Sequence, residues 1–172
     1  MKLSFVPAVL AICLMALASS KGEEETIKPE QLPKAVKASL DARFPGAEIT
    51  SAAKETENGQ VVFDIELKLK GRKFESDIQE DGTILEIEKE IATKDWPKAL
   101  AAAIAAKYPK STIKEVMEVN LVKNKKETPD HLEVTLETSD KKVEEVIASL
   151  DGKTITEEPA APGEAKKEPA KK

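Results

Sequence analysis

The chain has 172 residues, of which 34% are charged and 40% hydrophobic, and its formal charge is −5 at pH 7. That length allows one compact domain or two small ones, and the mildly acidic balance gives no electrostatic reason to seek nucleic acid or anionic lipid. The one cysteine, Cys13, lies in the first apolar segment, so removal of that segment excludes disulfides, thiolate metal sites and a cysteine nucleophile.

Lys2 is followed by an uncharged, mostly apolar run from Leu3 to Ala18, ending in Ala16-Leu17-Ala18. This predicts a secretory signal peptide over 1–18, cut after Ala18 or, second, after Ser20. The run is too short for a membrane span, which needs roughly 20 apolar residues. A lipidated Cys13 is the less favoured reading. Ile12 is bulky where a lipoprotein box wants a small residue, and the apolar run continues past the cysteine. Residues 19–31, "SSKGEEETIKPEQ", read as a flexible leader.

Leu32, Val36, Leu40 and Phe44 stand four apart and predict the buried stripe of a helix. Pro33 suits its first turn, and Pro45-Gly46 ends it. Strands follow. Ile49, Ser51 and Ala53 alternate up to the hairpin signal Asn58-Gly59. Phe63, Ile65, Leu67 and Leu69 then alternate without error with Asp64, Glu66, Lys68 and Lys70, so one face is buried and the other wet. Gly71, the Phe74–Ile78 segment, the Asp81-Gly82 turn and the Leu85/Ile87 alternation complete four strands.

The stretch "LPKAVKASLDARFPGAEI" at 32–49 returns as "WPKALAAAIAAKYPKSTI" at 96–113, 64 residues later. Asp95 is the expected cap, with Trp96, Leu100 and Ile104 in the apolar stripe. Met117, Val119 and Leu121 alternate in the next strand, and a longer loop, "NKKETPD", stands in place of the Asn-Gly turn. Leu132, Val134 and Leu136 match the Phe63 strand, and Asp151-Gly152 matches Asp81-Gly82. Residues 159–172 are mostly Pro, Ala, Lys and Glu without periodicity and read as a disordered tail.

The expected fold is α+β: two tandem α-β-β-β-β units, over 32–92 and 93–158. Joined edge to edge, their sheets form one continuous antiparallel sheet with both helices on one face. Joining removes two open edges and leaves the opposite face bare and charged.

The Leu-Pro-x-Ala-Val opening, the aromatic-Pro-Gly helix stop, Ile49, the alternating Phe63 strand and the Asp-Gly before the last strand resemble a PepSY-like domain, of the beta-lactamase-inhibitor-like group. The second copy keeps Trp96-Pro97, Tyr108-Pro109, Ile113 and Asp151-Gly152, but has Lys110 where the first has Gly46. The resemblance implies a periplasmic or secreted non-enzymatic module of a family associated with binding and inhibiting other proteins, peptidases in particular. It carries no catalytic residue.

The residues themselves point the same way. His131 is the only histidine and begins a strand in a polar stretch, where an exposed, roleless histidine is expected. One His without Cys does not make a zinc site, and no D-x-D-x-D-G calcium loop is present. The pairs Asp64/Glu66, Glu75/Asp77, Glu86/Glu88 and Glu133/Glu137 sit on outward strand positions among Lys68, Lys70, Arg72 and Lys73, which predicts cross-strand ion pairs. Phe44, Phe63, Phe74, Trp96 and Tyr108 are expected in the core. The expected function is therefore an exported binding module without cofactor or metal, a monomer whose partner is an unidentified protein or peptide. Its candidate surface is Asp64, Glu66, Lys68, Arg72, Glu75, Glu133 and Glu137. The alternatives are a cation-binding envelope-stress protein and a small hydrolase using a carboxylate pair.

Overall fold

The computed structural model describes residues 25–57 and 59–157. The expected signal peptide, residues 19–24 of the leader and the tail at 159–172 lie outside them. Among the described residues, nine strands form one antiparallel sheet in chain order: β1 (Glu25–Thr26), β2 (Glu48–Glu57), β3 (Gln60–Leu69), β4 (Arg72–Gln79), β5 (Ile84–Glu90), β6 (Thr112–Lys123), β7 (Lys126–Glu137), β8 (Val143–Ala148) and β9 (Ile155–Glu157). Helix α1 (Lys34–Arg43) precedes β2, and α2 (Leu100–Lys107) precedes β6. Each helix is thus followed by four strands.

The halves meet where β5 pairs with β6, with Ile87 opposite Asn120 and Glu88 opposite Val119. Opposed residues share a face, so the position of each helix follows from the register. Leu32, Val36, Leu40 and Phe44 pack on Phe63, Ile65, Leu67, Ile78 and Ile87. Leu100 and Ile104 pack on Val116, Leu132, Val134, Leu136 and Val146. Val116 and Asn120 lie four apart on β6, and Asn120 opposes Ile87, so both helices cover the same side. The apolar stripes and the faultless β3 alternation suffice to specify this arrangement.

Several local expectations need correction. Residues 25–31 are ordered rather than a free leader. β1 pairs with β2, a 3-10 turn spans Pro29–Gln31, and Ile27 packs on the first core while its N–H donates to Ala52 O at 2.9 Å. In β2 the register shifts between Ile49 and Ser51, so Ile49 and Ala52, not Ser51 and Ala53, face the helix. β6 has the corresponding shift between Ile113 and Glu115. Val116, Glu118 and Asn120 therefore face the helices, while Met117, Val119 and Leu121 face away; one extra residue flips every following side chain. The "NKKETPD" loop is a two-residue turn, because Asn124 and Lys125 both take positive φ and Lys123 opposes Lys126. Pro129 sits in β7 beside a bulge, where no ladder partner from β8 faces it. Asp95 ends a 3-10 turn and does not cap α2, whose cap is Ala99.

The two Asp-Gly turns do more than reverse the chain. Gly82 has φ +89°, and a Cβ there would lie 2.8 Å from Ala35 O and from Ser39 Oγ of α1. Ser39 Oγ donates to Gly82 O at 2.6 Å. Gly152 has φ +69°, and its Cβ would stand 2.9 Å from Leu100 N and Pro97 Cβ beside α2. Each turn is pressed against its own helix, an approach only glycine allows. Gly46 has φ +80° but open space around it, so it separates the two effects. Gly82→Ala and Gly152→Ala should each destabilise by roughly 2 kcal/mol or more, and Gly46→Ala by about 1 kcal/mol, in urea denaturation. Equal losses at all three positions would refute the helix-contact role.

Candidate functional site

The face opposite the helices is built in rows by the strand register. One row runs Ser51, Glu66, Glu75, Glu88, Val119, His131 across β2 to β7. Its neighbour runs Ala53, Asp64, Asp77, Glu86, Leu121, Thr128. On β3, β4 and β5 carboxylates thus oppose carboxylates in both rows. The expected cross-strand ion pairs do occur, Lys73 with Glu66 and Glu115 and Lys114 with Glu137, but within these rows carboxylates also stand directly opposite one another, an arrangement that weakens a sheet. Lys73 is the cation that reaches into this group, with Nζ 2.6 Å from Glu75, 3.1 Å from Glu115 and 3.8 Å from Glu66.

The face is also not bare. Met117, Val119 and Val62 are buried on it, at 3%, 0% and 1% exposure, beneath the longer acidic side chains. Glu86, Glu88 and Glu133 each bring a carboxylate oxygen within 4.8 Å of the others. β5 and β7 are two strands apart, roughly 10 Å by ordinary spacing, so Glu88 and Glu133 lean toward each other over Val119. Among the described residues these three carboxylates form the group that could hold a cation.

Charges this close interact strongly. At about 5 Å and an effective dielectric near 20, each like-charged pair costs roughly 3 kcal/mol, which disfavours the charged form of Glu88 beside its neighbours. Burial, then Glu133, Glu75, Glu86 and Asp77, push the Glu88 carboxyl far above the usual carboxylate range. Burial also raises Glu75, against the pull of Lys73. Burial works against the Lys73 ammonium, but Glu75 and Glu115 hold it above its ordinary value. His131, expected to be exposed and idle, is half-buried. Its Nδ1 lies 2.9 Å from Asp130 Oδ2 and its Nε2 3.6 Å from Glu133 Oε1. Glu133 first, with Asp130 assisting and burial opposing, raises its pKa to about 9.

Of the expected surface residues, Asp64, Glu66, Lys68, Glu75, Glu133 and Glu137 share this face, by register. Glu137 stands apart from the central group, held by Lys141 at 2.7 Å and Lys114 at 3.5 Å. Arg72 does not belong with them. It opposes Leu69, so it lies on the helix side, donates to Glu90 O at 2.9 Å and lines an open groove of about 750 Å³ with Lys89, Ile91 and Pro97. The expected surface did not include Asp77, Glu86, Glu88, His131 or the Met117/Val119 floor, which the register brings to this face. The outward alternation of the acids was visible, but not the rows that bring them together, nor the bulge after Ile113 that turns Met117 and Val119 to this side.

The sign of the pH effect follows from these shifts. A carboxyl with a raised folded pKa stabilises the protein below its unfolded value near 4.5, and that contribution is lost as pH rises through the folded pKa. The His131 contribution is present below about 6.5 and lost as pH rises through about 9. Melting temperature should therefore fall from mildly acidic to alkaline pH. Glu88→Gln, which mimics the protonated group, should match the wild type near pH 4 and exceed it by about 1 kcal/mol or more near pH 9. A wild-type advantage at alkaline pH would contradict the burial of a proton at Glu88.

No protein-family model matches the chain, and a search of curated proteins finds no match. Solved structures do resemble it. A DUF2874 family protein from Bacteroides uniformis ATCC 8492 superposes with a TM-score of 0.53 at 16% identity, over 72% of this chain and 85% of that one. A candidate periplasmic protein of Bacteroides eggerthii DSM 20697 gives 0.53 at 12% identity, over 72% and 87%. A BLIP-like protein from Bacteroides fragilis NCTC 9343 gives 0.50 at 19% identity, over 80% and 93%. The chain thus shares the α+β fold of BLIP-like and DUF2874 proteins.

Proposed function

We propose that the protein is exported and acts outside the cytoplasm as a non-enzymatic binding module, its acidic sheet face receiving a basic segment of a protein partner. The observation that carries this reading is the pair of carboxylate rows on β3, β4 and β5, whose directly opposed like charges weaken the sheet and would be relieved by an incoming cationic segment. Met117 and Val119 beneath them are already buried, so this face would meet a partner through its charged side chains, where complementary charge gives specificity. Export is supported by the leader pattern and by neighbours of this fold described as periplasmic. Inhibition of a partner would be the role suggested by the BLIP-like neighbour.

We further read the two helix-plus-four-strand halves as tandem PepSY-like copies, 32–92 and 93–158. Both helices end at an aromatic residue with φ near −125° whose N–H donates 2.7 Å to the carbonyl four residues back. Both first strands shift register just after the repeated isoleucine, and both Asp-Gly turns abut their own helix.

Crosslinking in the native envelope, followed by mass spectrometry, tests the docking face. The wild type should crosslink through β3–β5 to a Lys- or Arg-rich segment. Combined Glu66→Lys, Glu75→Lys and Glu133→Lys reversal should abolish that crosslink while a cooperative melt persists. Unchanged crosslinking after reversal would remove this face as the docking surface. A calcium-dependent rise in melting temperature, lost in Glu133→Gln, would move the reading to cation binding.

A further inference from the structure

The helix side of the sheet carries a groove of about 750 Å³ over the join between the halves. Each helix covers its own core, α1 the first and α2 the second, and no residue of either helix lines the groove. Phe74, Lys89, Glu118, Leu132 and Ala148 form one row across β4 to β8. The groove follows that row, from Arg72 at one end to Leu150 at the other. Five strands at ordinary spacing make it roughly 19 Å long, the reach of about six residues of extended chain. Its ends differ in chemistry. Arg72 is exposed, with Nη2 donating to Glu90 O at 2.9 Å and the guanidinium 5.5 Å from the Phe74 ring centroid. Among the described residues it makes no ion pair, while the other charged groups of the groove have partners or neighbours of their own. Lys89 is taken by Glu127 at 2.6 Å, Glu118 accepts from Asn120 Nδ2 at 3.2 Å, and Lys94 is followed by Asp95. At the far end Leu150 is 41% exposed, one of two large hydrophobic side chains so placed among the described residues. The turn does not require it. The matching turn of the first half, closed by Gly82 N–H to Gln79 O as Gly152 N–H closes on Ser149 O, carries Glu80 in that place.

We propose that this groove docks an extended acidic segment of a partner protein, with one carboxylate seated on Arg72 and a large apolar side chain laid against Leu150 and Pro129. Charge complementarity selects this occupant. Arg72 presents a planar fork of N–H donors already oriented by Glu90 O, so a carboxylate meets it without reordering the side chain. Leu150 and Pro129 both line the groove and are both exposed, so covering them removes apolar surface from water. The distance between the ends asks for an acidic and an apolar residue about five positions apart in an extended chain. The carboxylate rows lie on the opposite face of the sheet, so this surface is separate from the one proposed above and selects the opposite charge.

Titration of the full protein with a hexapeptide, Glu-Glu-Ser-Ser-Leu-Leu, and with its reverse, both capped at their ends, tests this by amide NMR. At least one of them should shift the amides of Ile91, Leu132 and Leu150 and leave those of Asp64 and Glu66 on β3 in place, with Kd near or below about 1 mM. Arg72→Glu should weaken that binding at least about tenfold, as the loss of a charged hydrogen-bonded pair. Leu150→Glu, which installs the residue type of the first-half turn, should weaken it at least about fivefold while the melt stays cooperative. Lysine in place of both glutamates should abolish the shifts. Absence of shifts with either peptide, equal binding of the lysine version, or undiminished binding by Leu150→Glu overturns the proposal. Self-association that grows with protein concentration and is lost in Leu150→Glu would seat a second copy in the groove, and overturns it as well. Each of these outcomes leaves the acidic face on the other side standing.

Discussion

The hydrogen-bonded join between β5 and β6 is the constraint on which the molecule depends. It makes one sheet of two halves, and because Ile87 meets Asn120 across it, both helices must lie on one side. Each half has its own core, yet the join is not bare backbone. Asn120 is buried and gives its Nδ2 to Glu118 O at 3.0 Å, satisfying a polar group that would otherwise be expensive to bury. Glu127 on the β6–β7 hairpin meets Arg43 of α1 and lies 2.6 Å from Lys89 Nζ. Burial would raise that carboxyl, but Lys89 and Arg43 hold it below its ordinary value. Val122 of the same hairpin packs on the first core, so the second half braces the first.

With both helices on one side, the other side belongs to side chains of the sheet itself, and there the packing obeys a different logic. Apolar floor residues are buried under acids whose mutual repulsion the sheet tolerates. A protein selected for stability alone would place lysines opposite those glutamates. Sequences that satisfy every local rule except at one site mark that site as functional. Here the conflict is confined to three adjacent strands, with Lys73 on the middle strand beside the acidic rows and His131 two strands away on β7.

Much of this was legible in the sequence, and the limits have a physical origin. The four-apart stripes Leu32/Val36/Leu40/Phe44 and Leu100/Ile104, and the alternation from Phe63 to Leu69, located both cores, because burial imposes the helical and strand periods directly. The continuous sheet followed from matching the repeats. Bulges after Ile49 and Ile113 were invisible, since one inserted residue leaves composition unchanged while inverting the faces of β2 and β6. Met117 and Val119, read from the sequence only as alternating in their strand, floor the side opposite the helices because of the bulge after Ile113. Alternation reveals which face a carboxylate occupies, but not which carboxylate lies across from it. That depends on register between strands, so Glu75 against Glu88 and Asp77 against Glu86 emerged only with the fold, as did the pairing of His131 with acids on both sides.

Amide hydrogen exchange across the central join tests the continuity of the sheet most directly. Ile87, Glu88, Val119 and Asn120 should exchange only through global unfolding, as slowly as Ile65 and Val134 in the two cores. Fast exchange at those four amides, with both cores still protected, would mean two separate sheets. The shared acidic face would then have no physical basis.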